Sequence, residues 1–266
     1  MLKDKKFRVP RIWSNRELEK FAHLFSGKGV NVSGWKDIDK EGKKYRDYFS
    51  NISESDSILE VGSATGNLTE LLSSKSKNIT GIDLNSDFIS LAAKKNTQIS
   101  YKNINMLDID NYWINSFDKI ICFGNTLVHL NDFDEIKLFF KKVFNCLKKD
   151  GYFFVQIIDY DKIFTKNILE LPLIDNDNVK FIRTYELVSE SKIIFNSKLI
   201  IKDTNQIIEN SICLTPIRKQ LINSFLTDIG FNDIEFFENF NGDSTDENSI
   251  QLSLFKSSAK NADLIE

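Results

Sequence analysis

From Ser57 onward the chain alternates between two textures. Short apolar runs, SILEV, NITGID, FDKIICF and GYFFVQII, are separated by stretches whose apolar residues recur every three or four positions. The runs predict strands and the stretches between them predict helices. The clearest helix carries Phe133, Ile136, Phe140, Val143 and Leu147 on one stripe, with Lys148 and Lys149 in its last turn and Gly151 as its stop. Asn85 and Ser86 are placed to cap SDFISLAAKK, and ISYKNINML is a further run. Strands apolar throughout, alternating with helices, predict an α/β fold with a parallel sheet covered on both faces.

The pattern differs on either side of this core. Residues 1–50 read as a polar, helical N-terminal extension, with SNRE at Ser14–Glu17 as a capping box ahead of LEKFAHLF. After Asp159, KFIRTYELV, KIIFNSKLII and QIIENSICL follow one another with polar breaks and no helix between them. They predict a three-stranded antiparallel insertion over about 178–214. Thr215 and Pro216 supply an N-cap and first-turn proline for IRKQLINSFLTDI, and Gly230 its stop. FNDIEFFENF and SIQLSLFKS are two last strands. The main domain therefore spans 51–257, with a frayed tail over 258–266.

Composition narrows the function classes. With 41% hydrophobic and 27% charged residues this is an ordinary globular chain. Its net charge of −3 lacks the basic surplus of a nucleic-acid binder. The start has no apolar h-region, and no run approaches the ~18 apolar residues of a membrane span. Cys122, Cys146 and Cys213 lack metal-ligand or redox spacing, which fits a reduced cytoplasm and no metal.

The chemistry concentrates in ILEVGSATGNLTELL, Ile58 to Leu72, an apolar strand turning through small residues into a helix. In open α/β sheets a ligand sits beyond the carboxyl ends of the strands at such a turn. Glu60, Gly62, Ala64 and Gly66 give E-x-G-x-A-x-G, whereas the pyrophosphate-binding fingerprint is G-x-G-x-x-G. A carboxylate at the loop's mouth repels pyrophosphate and suits a ligand carrying an ammonium and a sulfonium. Ala64, standing where a middle glycine is usual, is accommodated if its φ is negative. Asp83 ends the second run about twenty residues beyond the loop's start, where an acid accepts both ribose hydroxyls of a nucleoside.

This stretch resembles motif I of class I S-adenosylmethionine-dependent methyltransferases. The resemblance extends in order over about 55–158 and implies a Rossmann-like, doubly wound, mostly parallel sheet. It implies S-adenosylmethionine as cofactor, with S-adenosylhomocysteine as product, held by Glu60, Gly62, Ser63, Ala64, Gly66, Asp83 and Leu84. NMLDID implies an adenine site at Asn105 and Met106, with Asp108 as the alternative partner for the adenine amino group. ICFGNTLVHL implies that Phe123, Gly124 and Asn125 lie beside the methionine part of the cofactor. GNTLVHL with QIIDYDKIF and KFIRTYEL is similar to a narrower group, the glycine N-methyltransferases and amino-sugar N,N-dimethyltransferases.

That group implies a small-molecule acceptor, an amine or hydroxyl of a sugar or other metabolite, with no nucleic acid or membrane as partner. A hydroxyl acceptor needs a base, whereas an amine needs only to be neutral. His129, just past the fourth strand, is the candidate base or substrate hydrogen-bond partner; the alternative is an imidazole that ties the loop to a backbone carbonyl. Asp159, Tyr160, Arg183 and Tyr185 are candidate substrate contacts by position. His23 reads as packing or surface. Trp13, Trp35, Tyr45, Arg46 and Tyr48 form a lid, a dimer contact or a cap on the sheet, with Arg46 a candidate partner for the cofactor carboxylate. A non-catalytic cofactor-binding subunit supporting a partner enzyme stays open beside the enzyme reading. A nicotinamide-dependent reductase fails on the glycine spacing and on Glu60.

Overall fold

Ser57–Val61 forms β1, the strand from which the site is built. The structure, a computed structural model, describes residues 52–237 and 252–259, so the expected N-terminal extension and its Arg46 lie outside the described residues. The parallel strands that follow are β2 (Asn78–Asp83), β3 (Ser100–Asn103), β4 (Phe117–Cys122) and β5 (Leu147–Ile158). β10 (Phe231–Phe237) and β11 (Leu252–Ala259) complete a seven-stranded sheet in the order β10-β11-β5-β4-β1-β2-β3, with β11 antiparallel to both its neighbours. The chain runs outward from β1 to β3 and then returns to β4 on the other side of β1. A crevice therefore opens between β1 and β4 at the carboxyl ends of the strands.

The helices follow the apolar spacing. They are α1 (Asn67–Ser73), α2 (Ser86–Lys95), α3 (Phe133–Cys146), α4 (Tyr160–Thr165) and α5 (Lys219–Ile229). Asn85 caps α2 by accepting from the N–H groups of Asp87 and Phe88, as its position predicts. On α3, Phe139 and Phe140 meet Phe153 of β5 edge-on, with centroids 6.0 and 5.7 Å apart, in the centre of the main core.

Two expected helix ends are corrected. The helix carrying Phe133 stops at Cys146, and Leu147, Lys148 and Lys149 already belong to β5, because Leu147 pairs with Phe117 of β4. Gly151 is therefore no helix stop but the tight point of a bulge. A Cβ there would lie 2.9 Å from the Lys148 carbonyl oxygen and 3.1 Å from that of Phe117. The helix expected from Thr215 begins only at Lys219. Thr215 instead donates from its hydroxyl to the Leu130 carbonyl and from its N–H to that of Val128, pinning the insertion to the turn after β4.

The antiparallel insertion is present, with β7 (Val179–Ser189), β8 (Lys192–Ile201) and β9 (Gln206–Leu214); β8 and β9 pair in unbroken register, and β7 pairs with β8 with one shift between Leu187 and Ser189. A two-residue strand β6 (Ile174–Asp175) adds a fourth strand that no sequence run announced. Alternate residues of β7 are buried, so Val179, Phe181, Arg183 and Tyr185 share one inward face. Tyr185, Ile193 and Leu214 join the main core, while Val179, Phe181, Leu199 and Ile201 form a separate apolar cluster farther out. The expected tail is corrected in part, since Ser258 and Ala259 pair within β11.

Candidate functional site

The loop after β1 is held from three sides. The N–H groups of Gly62 and Ser63 donate to the Ile82 carbonyl of β2 at 2.8 and 2.9 Å. Ala64 N–H donates to one Asp83 carboxylate oxygen at 2.9 Å, and Asn85 N–H to the other at 2.8 Å. Asp83 thus stands at the end of β2, tied to the loops on both sides, with lone pairs remaining on both oxygens. Gly62 has φ 76°, and a Cβ there would collide with the Thr126 side chain. The β1 and β4 loops therefore touch, and only glycine permits it. A Cβ at Gly66 would strike the ring of Tyr101, which wedges under the loop from β3.

Ala64 has φ 46°, so the expectation of a negative φ is corrected. The turn keeps the left-handed geometry of a glycine loop and forces alanine into it, because the bond to Asp83 and the turn from Ser63 to Gly66 fix the backbone. Glu60 is also placed differently from expectation. It does not stand at the mouth but lies beneath the loop, 4% exposed, accepting the Thr69 hydroxyl of α1 at 2.5 Å. Burial pushes its carboxyl up to about 8, with the nearby Asp83 charge adding to the rise. A cationic ligand above it would favour the ionised form.

The outer loops continue the cradle. Asn103 donates to the carbonyls of Asp83 and Leu84 at 2.9 and 2.8 Å, stapling the β2 and β3 loops together. Leu84 is a large apolar side chain left 71% exposed, an otherwise costly arrangement that suits the flat face of a base. Met106 is half-buried on the neighbouring loop. Asn105 caps the 3₁₀ turn Met106–Asn111 through Leu107 N–H, while Asp108 is exposed in that turn.

At the end of β4, Gly124 and Asn125 adopt φ 73° and 66°. Gly124 N–H donates to the Gln156 side chain at 3.1 Å, and Asn125 accepts from Ile158 N–H and donates to the Tyr160 hydroxyl at 3.0 Å. Phe123 is 3% exposed, its side chain belongs to the apolar cluster that includes Ile58, Leu68, Ile121 and Phe154, and its carbonyl accepts the Thr126 hydroxyl. His129 ends the 3₁₀ turn Thr126–His129 with an exposed side chain and makes no hydrogen bond among the described residues, so it does not tie the loop down.

Two candidate substrate contacts are corrected by their surroundings. Asp159 is 3% exposed; it caps α4 through Lys162 N–H and pairs with Lys219 at 3.2 Å, which turns its carboxylate toward α4 and α5. Tyr160 is fully buried behind Asn125 and supports that loop. Arg183 and Tyr185, the candidates on the insertion, lie on its inward face, and both are buried.

The supporting residues Thr69, Tyr101, Thr126 and Gln156 were missed in the sequence. Gln156 alone left a signal, as the one amide in the apolar run GYFFVQII.

A glycine loop after the first strand, tied to an acid at the end of the second, across the switch point of this sheet order, defines a class I methyltransferase fold. The donor set fits the nucleoside of that fold. Asp83 has lone pairs that a ribose could use, Leu84 and Met106 present apolar surface on the neighbouring loops, and Ser63 keeps a buried hydroxyl with no partner. Asp83, Leu84, Met106 and Ser63 are thus the described residues that would hold S-adenosylmethionine, the cofactor bound by this fold.

Comparison with known proteins agrees. Residues 58–151 match the family described as Methyltransferase domain. A protein of Geobacillus sp. (strain WCH70) that is named a methyltransferase is 30% identical over 129 residues, 44% of this chain and 51% of the other. The chain thus spans about half the length of that curated relative. A crystal structure of an S-adenosylmethionine-dependent methyltransferase from Clostridium acetobutylicum superposes with a TM-score of 0.74 at 20% identity, covering 91% of this chain and 98% of the other. The S-adenosylmethionine-bound CalS10, an amino pentose methyltransferase from Micromonospora echinaspora, superposes with a TM-score of 0.67 at 13% identity, covering 91% and 97%.

Proposed function

We propose that the chain transfers a methyl group from S-adenosylmethionine to an amine or hydroxyl of a small molecule, a sugar or sugar nucleotide being the favoured class. The bond that ties Ala64 N–H to Asp83 carries the reading, because it presents the glycine loop and the ribose acid as one preformed unit. The cofactor supplies an electrophilic methyl on sulfur, and the chain's task is to align an acceptor lone pair with it. The loop Gly124–Asn125, held from behind by Gln156 and Tyr160, forms the floor where acceptor and methyl meet. His129 takes the proton that a hydroxyl acceptor must lose. The insertion forms the acceptor wall, and the amino pentose activity named for CalS10 supports a sugar there. No helix among the described residues is long and apolar enough to cross a membrane, and Cys122, Cys146 and Cys213 are free thiols, which supports a cytoplasmic setting.

Thermal unfolding with S-adenosylmethionine, S-adenosylhomocysteine and NADH, beside an Asp83→Ala control, tests the cofactor. A ligand at a hundred times its dissociation constant adds ~2.7 kcal/mol. The two sulfur nucleotides should stabilise the wild type and not the variant, and NADH should do nothing. Absence of stabilisation by either sulfur nucleotide would sink the reading. Methyl transfer from labelled cofactor to a panel of amino sugars and hydroxylated metabolites then tests turnover. His129→Ala should bind S-adenosylhomocysteine normally and lose transfer to a hydroxyl acceptor; unchanged transfer would remove its role as base.

A further inference from the structure

In a parallel sheet the strands are covered on both faces and carry apolar side chains throughout. One corner of this sheet departs from that rule. Asn78, Thr80, Ser100 and Lys102 project side by side from one face of β2 and β3, as their register and the strand alternation require. Toward the carboxyl ends the same face carries Leu59, Val61 and Ile82 of the main core. The crossover from β3 to β4 accounts for the difference, because it covers this face with the 3₁₀ turn Met106–Asn111 and no α-helix. It leaves an open cavity of about 410 Å³ at the amino ends of β1 to β4, walled by Trp113 and Phe117. The glycine loop and Asp83 lie at the opposite end of the same strands. We propose that this cavity binds a small phosphate ester, its ring against Trp113 and its phosphate on Lys77 and Lys102. The site is separate from the place of methyl transfer, so its occupant is a ligand other than the acceptor.

The electrostatics point to an anion. Lys77 lines the cavity, and Lys102 Nζ stands 5.4 Å from the centroid of the Trp113 ring. Neither lysine is ion-paired among the described residues, and no carboxylate lines the cavity. The acids beside its walls in the chain are taken by other lysines, Asp56 by Lys119, Asp110 by Lys142 and Asp118 by Lys148. In a chain of net charge −3, this corner therefore keeps two lysines that no carboxylate pairs. A concave surface of one sign focuses its field and draws in a ligand of the other.

The rest of the lining suits a hydroxylated ring. The side chains of Asn78, Thr80 and Ser100 make no hydrogen bond among the described residues, so the floor offers free donors and acceptors. The indole beside them is a flat apolar wall. It is braced edge-on by Phe117 with centroids 5.3 Å apart and extended by Tyr112, which is 60% exposed. The volume is that of a small-molecule site. Two sources share the required chemistry, a sugar phosphate and a nucleotide.

The test is calorimetric titration of the full chain saturated with S-adenosylhomocysteine, whose own binding is measured first. Glucose 6-phosphate and uridine monophosphate are then titrated at constant ionic strength, beside glucose, uridine and inorganic phosphate. One of the two esters should bind at least about tenfold more tightly than either of its parts, and that ester identifies the source. Lys77→Met and Lys102→Met remove no ion pair of the protein and should each weaken the ester at least about fivefold. Both variants should bind S-adenosylhomocysteine as the wild type does. Trp113→Leu should weaken the ester likewise, and the lysine variants decide alone if that protein does not fold. No binding of either ester, binding no tighter than inorganic phosphate, or equal binding by the lysine variants overturns the proposal. Failure of the cofactor reading shows separately, as the absence of heat from S-adenosylhomocysteine.

Discussion

Ala64 and Glu60 show how single side chains set the working conditions of the site. Ala64 holds φ 46° in a turn built for glycine. Ala64→Gly should therefore stabilise the protein by up to about 1 kcal/mol, read as a raised midpoint in denaturant, with cofactor affinity preserved. A lower midpoint would mean that the alanine methyl is packed to advantage. Glu60 titrates in the opposite sense to most protein carboxylates. Its pKa rises from 4.5 in the unfolded chain to about 8, so the folded protein keeps a proton that the unfolded chain has released between those values. The stability attached to Glu60 is complete below the lower value and is lost as pH rises through the upper one. Glu60→Gln should flatten this loss, giving a protein more heat-stable than wild type near pH 8 in the absence of ligand. The same change should weaken S-adenosylmethionine binding, since the wild-type carboxylate ionises against the cation. A wild-type melting temperature independent of pH across this window would contradict the burial argument.

At the scale of elements, α3 and the insertion carry separate expectations. Asp132 caps α3 by accepting Glu135 N–H at 2.9 Å, so Asp132→Ala should cost about 1 kcal/mol in chemical denaturation without altering cofactor affinity. What was legible in the sequence follows from periodicity. Runs such as SILEV and KIIFNSKLII became β1 and β8 because their pattern is satisfied locally by the sheet. The glycine loop and Asp83 were legible because their spacing is itself the constraint. Helix ends were not. Lys148 and Thr215 carry ordinary terminal signals, yet pairing of Leu147 with Phe117 and the bonds from Thr215 to Val128 and Leu130 overrode them. Of the supports of the site, Tyr101 under Gly66 lies thirty-five residues on, where no local pattern encodes it, and Thr69 under Glu60 is one helix residue among others until the fold turns it inward. Asp159 shows the same limit, since its partner Lys219 lies sixty residues on.

For the molecule as a whole, the division of the apolar interior matters most. The inner end of the insertion shares the main core through Tyr185, Ile193 and Leu214, whereas its outer end has only its own cluster around Phe181 and Leu199. Native-state amide exchange should accordingly show the outer halves of β7 and β8 opening at lower free energy than β1, β4 and β5. Equal protection along β7 would mean that the insertion and the main sheet unfold as one unit. The sheet edges described above have a further bearing, on behaviour in concentrated solution. β3 is only four residues long, β6 only two, and the β10 edge is broken by a register shift around Asp233, whose φ is 51°. Short or bulged edges offer a poor template for strand addition by another copy. The seven-stranded sheet should therefore resist edge-to-edge polymerisation when crowded, and any such pairing should run through β9, the nine-residue edge of the insertion sheet.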